Sequence, residues 1–275
     1  MIKDILLVID NADKAVPVID AALVMAEREA AMLTIEILTA GPLLLPALAP
    51  MTAMYVPEPE LAGEEATRIA AVAAKVAHAR CATRVVGLHD DIFGVARRAG
   101  VAGPIADVII MGDSESWETG WLRKHAAKAV IMGGGTPLII ASAKAPLVPS
   151  RHAVMGWKES PEARRAVHDL VSMVEPGGRI SVVAVAQDHA DSDATAGSLD
   201  EIVRYFTQHG FAAEAHPIVA GIESDAHALE AFAVEQGADL LALGAFGHLR
   251  LRDVILGGVT HAMIERPRLP ILFSR

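Results

Sequence analysis

The residues of this chain whose types and spacing best suit chemistry are glycines near its carboxyl end. Gly244 closes the apolar run that starts at Leu240, and Gly247 stands three positions later. After nine more residues come Gly257 and Gly258, followed by Val259 and Thr260. Glycines at the end of a strand and the start of a helix leave backbone N–H groups unobstructed by any Cβ, so such a loop can wrap an anion, a phosphate above all. His248, Arg250 and Arg252 lie inside the loop and add positive charge. The same glycines could equally shape a plain turn and begin a helix, and spacing alone leaves those readings level.

Other chemistries lack their residues. A phosphate loop ending in Gly-Lys-Ser/Thr, a Gly-x-Gly-x-x-Gly dinucleotide loop and a Gly-x-Ser-x-Gly nucleophile turn are all missing. The 11 histidines include no pair at i, i+4, and Cys81 is the single cysteine, so neither a zinc site nor a disulfide is expected. Cys81 reads as an inert thiol. No carboxylate pair or general base is aimed at the glycine loop, which limits catalysis to slow hydrolysis at most.

The elements that must position the loop come from hydropathy. Of the 275 residues 52% are hydrophobic, yet the apolar residues fall in runs of five to seven, the size of strands buried on both faces. Strands are expected at 5–9, 33–38, 83–88, 106–112 and 137–141, with helices at 16–30, 64–78, 92–99 and 124–132 between them. This alternation implies a parallel sheet with right-handed crossovers. The pattern then restarts after the proline-containing stretch 142–152. Strands are expected at 153–157, 180–186, 212–219, 238–244 and 270–273, with helices at 162–174, 199–209, 224–236 and 259–265. Ala106–Gly112 lines up with Ala238–Gly244 at a constant offset of 132 residues, and Pro137-Leu138-Ile139-Ile140 resembles Pro270-Ile271-Leu272-Phe273. The chain reads as two copies of one five-stranded α/β unit, residues 1–146 and 147–275.

Gly-x-x-Gly, nine residues, then Gly and a small residue, placed between the fourth strand and the last helix of a five-stranded unit, resembles the nucleotide loop of universal stress proteins. The duplication is similar to the family's tandem members. The resemblance implies a Rossmann-like, adenine-nucleotide α-hydrolase fold, a stress-response or regulatory role, and units paired through their last strands as an internal pseudo-dimer. It also implies ATP, with or without magnesium, held by Gly244, Gly247, His248, Gly257, Gly258, Val259 and Thr260, with Trp157, Lys158 and Val185 near the base. Two departures stand out. Gly258 replaces a Ser or Thr, and Lys158 replaces an Asp at the end of the unit's first strand, where a lysine cannot accept a hydrogen bond from an adenine amine.

The first unit keeps that aspartate as Asp10 but reads Asp113-Ser114-Glu115-Ser116-Trp117-Glu118 after Gly112, so carboxylates stand where glycines would cradle phosphate. No nucleotide is expected there, and a structural role is. The alternative to a nucleotide-binding protein is a ligand-sensing or scaffold protein whose apolar, proline-rich segment 41–63 binds a small molecule or an unidentified protein partner; plain packing of that segment is the commoner outcome. The polar stretch 188–198 reads as a loop. With 24 basic against 34 acidic residues the net charge is -10, which disfavours nucleic acid as a partner. The most apolar segment, 43–56, contains Pro46 and Pro50 and is too short to span a membrane. A cytoplasmic location is expected, and further pairing of whole chains is left open.

Overall fold

Buried apolar runs fix the strands. In the computed structural model the described residues are 2–41, 58–100, 105–133, 135–143, 145, 147, 149–186, 189–219, 224–245 and 263–275, with the side chains of 58 and 189–196 left aside. The chain divides into two compact units, Ile2–Gly134 and Gly135–Arg275.

The amino-terminal unit runs β1 (Asp4–Ile9), α1 (Val16–Glu29), β2 (Met32–Gly41), α2 (Glu58–Val76), β3 (Thr83–Asp91), α3 (Ile92–Arg98), β4 (Val108–Met111), a 3-10 turn (Ser114–Ser116) and α4 (Gly120–Gly133). Its strands lie in the order β3-β2-β1-β4 and are parallel. Every residue from Ile5 to Ile9 is buried, as a strand covered on both faces requires. The buried residues of α1 (Val18, Ile19, Ala22, Met25 and Ala26) recur at helical spacing and give it one apolar side.

The carboxy-terminal unit contains β5 (Leu138–Ile140), β6 (Ser150–Gly156), α5 (Pro161–Leu170), β7 (Val174–Ala186), α6 (His189–Gln208), β8 (Ala212–Val219), α7 (Asp225–Glu235), β9 (Leu240–Gly244) and β10 (Ile271–Ser274). The order is β5-β10-β9-β6-β7-β8. All neighbours are parallel except β5 and β10, which pair antiparallel through Leu138–Phe273, Ile139–Leu272 and Ile140–Ile271. The expected pairing of segments 137–141 and 270–273 is therefore present. It explains why β5, read from sequence as the first unit's last strand, groups with the second half: its ladder bonds run to β10, and Ser142 Oγ donates to Pro267 O at 2.7 Å.

The duplication extends to individual hydrogen bonds. Asp107 accepts from the backbone N–H groups of Lys3 (2.6 Å) and Asp4 (3.0 Å), while Asp239 accepts from those of Arg151 (2.9 Å) and His152 (3.4 Å). The aspartates are 132 residues apart, the offset read from the sequence. Each is a clasp holding the start of its unit's first strand against the start of its fourth. One expectation is corrected. Residues 189–198 are helical and begin α6 instead of forming a loop. The sequence there contains Ala190, Ala194 and Ala196, which favour helix, and no apolar stripe that would announce one.

Candidate functional site

Strand register decides which residues of the two units are equivalent. Ile5 lies opposite Val108 and Val8 opposite Met111, while Ala153 lies opposite Leu240 and Gly156 opposite Leu243. Asp10 and Lys158 consequently occupy the same place, two residues beyond those last pairs, as do Gly112 and Gly244. In an open parallel sheet this carboxyl end is where ligands bind.

In the carboxy-terminal unit Gly244 ends β9 under the first turn of α5. A Cβ built on Gly244 would fall onto the backbone of Glu162 and Ala163, so glycine is required there for strand–helix packing alone. Helix α5 starts where the sequence says it should: Ser160 Oγ accepts from the Ala163 N–H at 3.0 Å, and Pro161 holds the first helical position. Glu162 Oε2 is buried beside this turn and meets no donor among the described residues. Lys158 is exposed, and Val185 is half-buried near the end of β7. Trp157 is a core side chain, 5% exposed, whose indole Nε1–H donates to Ser198 Oγ at 3.2 Å. The other expected ligand residues (Gly247, His248, Gly257, Gly258, Val259 and Thr260), together with Arg250 and Arg252, lie outside the described residues, as does 42–57 of the apolar segment.

The matching end of the amino-terminal unit is filled by its own chain. Asp10 is 2% exposed and its carboxylate accepts from the backbone N–H groups of Glu118 (3.1 Å) and Thr119 (2.9 Å) and from Asn11 Nδ2 (2.8 Å). The 3-10 turn folds back so that a Cβ on Gly112 would fall on Ser116 Oγ, and Trp117 is buried behind it. Asp113 caps this turn by accepting from the Glu115 N–H at 3.1 Å. Arg68 of α2 donates to Asp10 O and pairs with Glu64 at 2.6 Å. Sequence reading expected closure by carboxylate repulsion. The structure adds a steric reason, and the residues responsible, Ser116 and Arg68, carried no signal that could be read along the chain.

At the opposite end of the carboxy-terminal sheet, His152 is buried. Its Nε2 lies 3.0 Å from Ser181 Oγ and its Nδ1 accepts from Arg179 Nη2 at 2.9 Å. Burial, with Arg179 second, holds its pKa below the ordinary imidazole value. Ser181 is 2% exposed, so this is a buried structural network, not a nucleophile. No group of His, Cys, Asp and Glu side chains suited to a metal occurs among the described residues.

Residues 149–275 match the model of the universal stress protein family. They form a universal stress protein domain. No curated protein matches the chain in sequence. Among solved structures, a universal stress protein from Archaeoglobus fulgidus DSM 4304 superposes with a TM-score of 0.70 at 16% identity, covering 99% of this chain and 96% of that one. A candidate universal stress protein from Pseudomonas aeruginosa UCBPP-PA14 gives 0.64 at 11% identity, with 99% and 93% covered. These likenesses extend the universal-stress-type fold to the amino-terminal unit, making the chain a tandem of two such α/β domains. No helix of the described residues is long and apolar enough to cross a membrane.

Proposed function

We propose that this tandem universal stress protein serves a stress-response or regulatory role by binding one adenine nucleotide, in its carboxy-terminal domain. The observation that carries the reading is the contrast between equivalent strand ends. Gly112 is plugged by Ser116 and Asp10 is consumed by backbone amides, whereas Gly244 opens the sequence Gly-x-x-Gly-x9-Gly-Gly-Val-Thr with an exposed Lys158 at the Asp10 position. Repulsion from Lys158 is absent for phosphate and its charge favours it, so the residues fit the phosphate part of ATP better than the adenine amine. The loop glycines would hold the triphosphate through backbone N–H groups, with Val259 and Thr260 beside them and Val185 against the base. Glu162 supplies an acceptor suited to a hydroxyl or to a magnesium ion travelling with the nucleotide. The reading is of a holder of nucleotide and at most a slow hydrolase.

Denaturing the purified chain and separating the released small molecules by chromatography tests the reading. About one adenine nucleotide per chain is expected. A reproducible absence of adenine, together with no uptake of added ATP, would leave the non-nucleotide scaffold as the better account.

A further inference from the structure

Helices α3 and α4 of the amino-terminal domain carry Arg97, Arg98, Arg123, Lys124 and Lys128 and no carboxylate, in a chain whose net charge is -10. The two helices run side by side in the same direction. Phe93, near the start of α3, packs edge-on against Trp121, near the start of α4, at 4.8 Å between ring centroids, and a Cβ on Gly100 just past α3 would touch Val130 late in α4. Unlike the buried Trp117 and Trp157, Trp121 is 37% exposed, and Phe93 is 49% exposed. One turn beyond these rings stand the exposed Arg97 and, on α4, the half-buried Lys124 and His125. Arg98 is tied to Asp90 at 3.3 Å and Arg123 is buried, so neither belongs to this face.

An apolar patch of exposed aromatic side chains followed by a cationic track is a recognition surface with a direction. The geometry points to an acidic amphipathic segment of another protein as its occupant. An apolar side chain of that segment seats against Phe93 and Trp121, and a carboxylate about 6 Å further along, one helical turn, meets Arg97 and Lys124. Charge complementarity selects this partner and its direction: α3 and α4 carry basic residues and no carboxylate, while the exposed Asp91 caps α3 ahead of Phe93, so the segment's acidic groups lie beyond the rings and not before them. Single-stranded nucleic acid fits less well. His125 stacks on Trp121 at 3.7 Å between centroids and 16° between planes, occupying one face that a base would need, and the overall negative charge repels a long polyanion. Aromatic and arginine side chains are also the ones that dominate binding energy when they anchor an interface.

The test is a selection from a display library of random peptides about 16 residues long, roughly four helical turns, on the full chain, with the recovered peptides then measured by fluorescence anisotropy. Recovered sequences are expected to place Asp or Glu three or four positions after an apolar residue. Their affinity should fall at least about tenfold in Trp121→Ala. A comparable fall is expected in the double variant Arg97→Glu, Lys124→Glu, and also on raising salt from about 50 to about 300 mM. Circular dichroism of each variant controls for folding, and the double variant changes only surface charge. Recovery of no binder, of binders lacking acidic residues, or of binders indifferent to both variants would overturn the inference. So would tighter binding of oligothymidylate or phosphatidylserine vesicles to the same face.

Discussion

Asp107 and Asp239 show how one side chain can define a repeat. Each closes the start of its domain's sheet, and at Asp239 the carboxylate also accepts from Ser150 Oγ at 2.5 Å. Replacing it with alanine strands backbone donors as well as that hydroxyl. We expect Asp239→Ala to destabilise the carboxy-terminal domain by about 2–3 kcal/mol in urea unfolding, since the bonds lost are charge-assisted; a change below about 0.5 kcal/mol would show that the clasp is ornamental. His152 beside it sets a pH dependence. Its folded pKa lies below the unfolded value, so in the interval between them the unfolded chain binds more protons and stability rises with pH. Stability of this domain is therefore expected to drop as pH falls below about 6.5, and the drop to flatten in His152→Gln. Thermal unfolding of both proteins between neutral and mildly acidic pH measures it, and parallel curves would contradict the assignment.

Elements were largely legible from the sequence because their signals are local. The alternation of apolar runs and amphipathic stretches placed β1 through β10, and Ser160-Pro161 marked the start of α5. What could not be read is non-local. The pairing of β5 with β10 follows from the resemblance and not from any local signal, its consequence that β5 groups with the carboxy-terminal unit has no sequence signal, and that Ser116 would cover Gly112 depends on how the 3-10 turn folds back. The polar start of α6 misled because no apolar stripe announces it. Of the candidate ligand residues, Gly244 turns out to have a packing reason of its own, Trp157 faces the core, and Lys158 and Val185 lie at the strand ends. Helix α5 thus presses on the loop's first glycine. Gly244→Ala is expected to cost at least about 2 kcal/mol, because backbone cannot yield as a side chain would. Calorimetric melting would check it, and an unchanged transition would mean that α5 shifts freely.

On the scale of the whole molecule, duplication has allowed the two domains to diverge. The amino-terminal copy retains the fold while Asp10, Asn11, Arg68 and Ser116 turn its ligand end into packed protein. To its α3–α4 face we assign a different task, the binding of a protein segment. The carboxy-terminal copy keeps the glycine sequence to which we assign an anion. This division of labour predicts a stoichiometry, one nucleotide for each chain, and a single substitution should erase it: Gly247→Glu places in the second domain the residue found at the equivalent position, Glu115, of the first.

Isothermal titration of the full chain with Mg-ATP, before and after that substitution, measures the central claim. The account predicts about one site per chain in the parent protein and no detectable heat of binding in Gly247→Glu, with both proteins folded by circular dichroism. Equal affinity in the two proteins, or two sites in the parent, would contradict it.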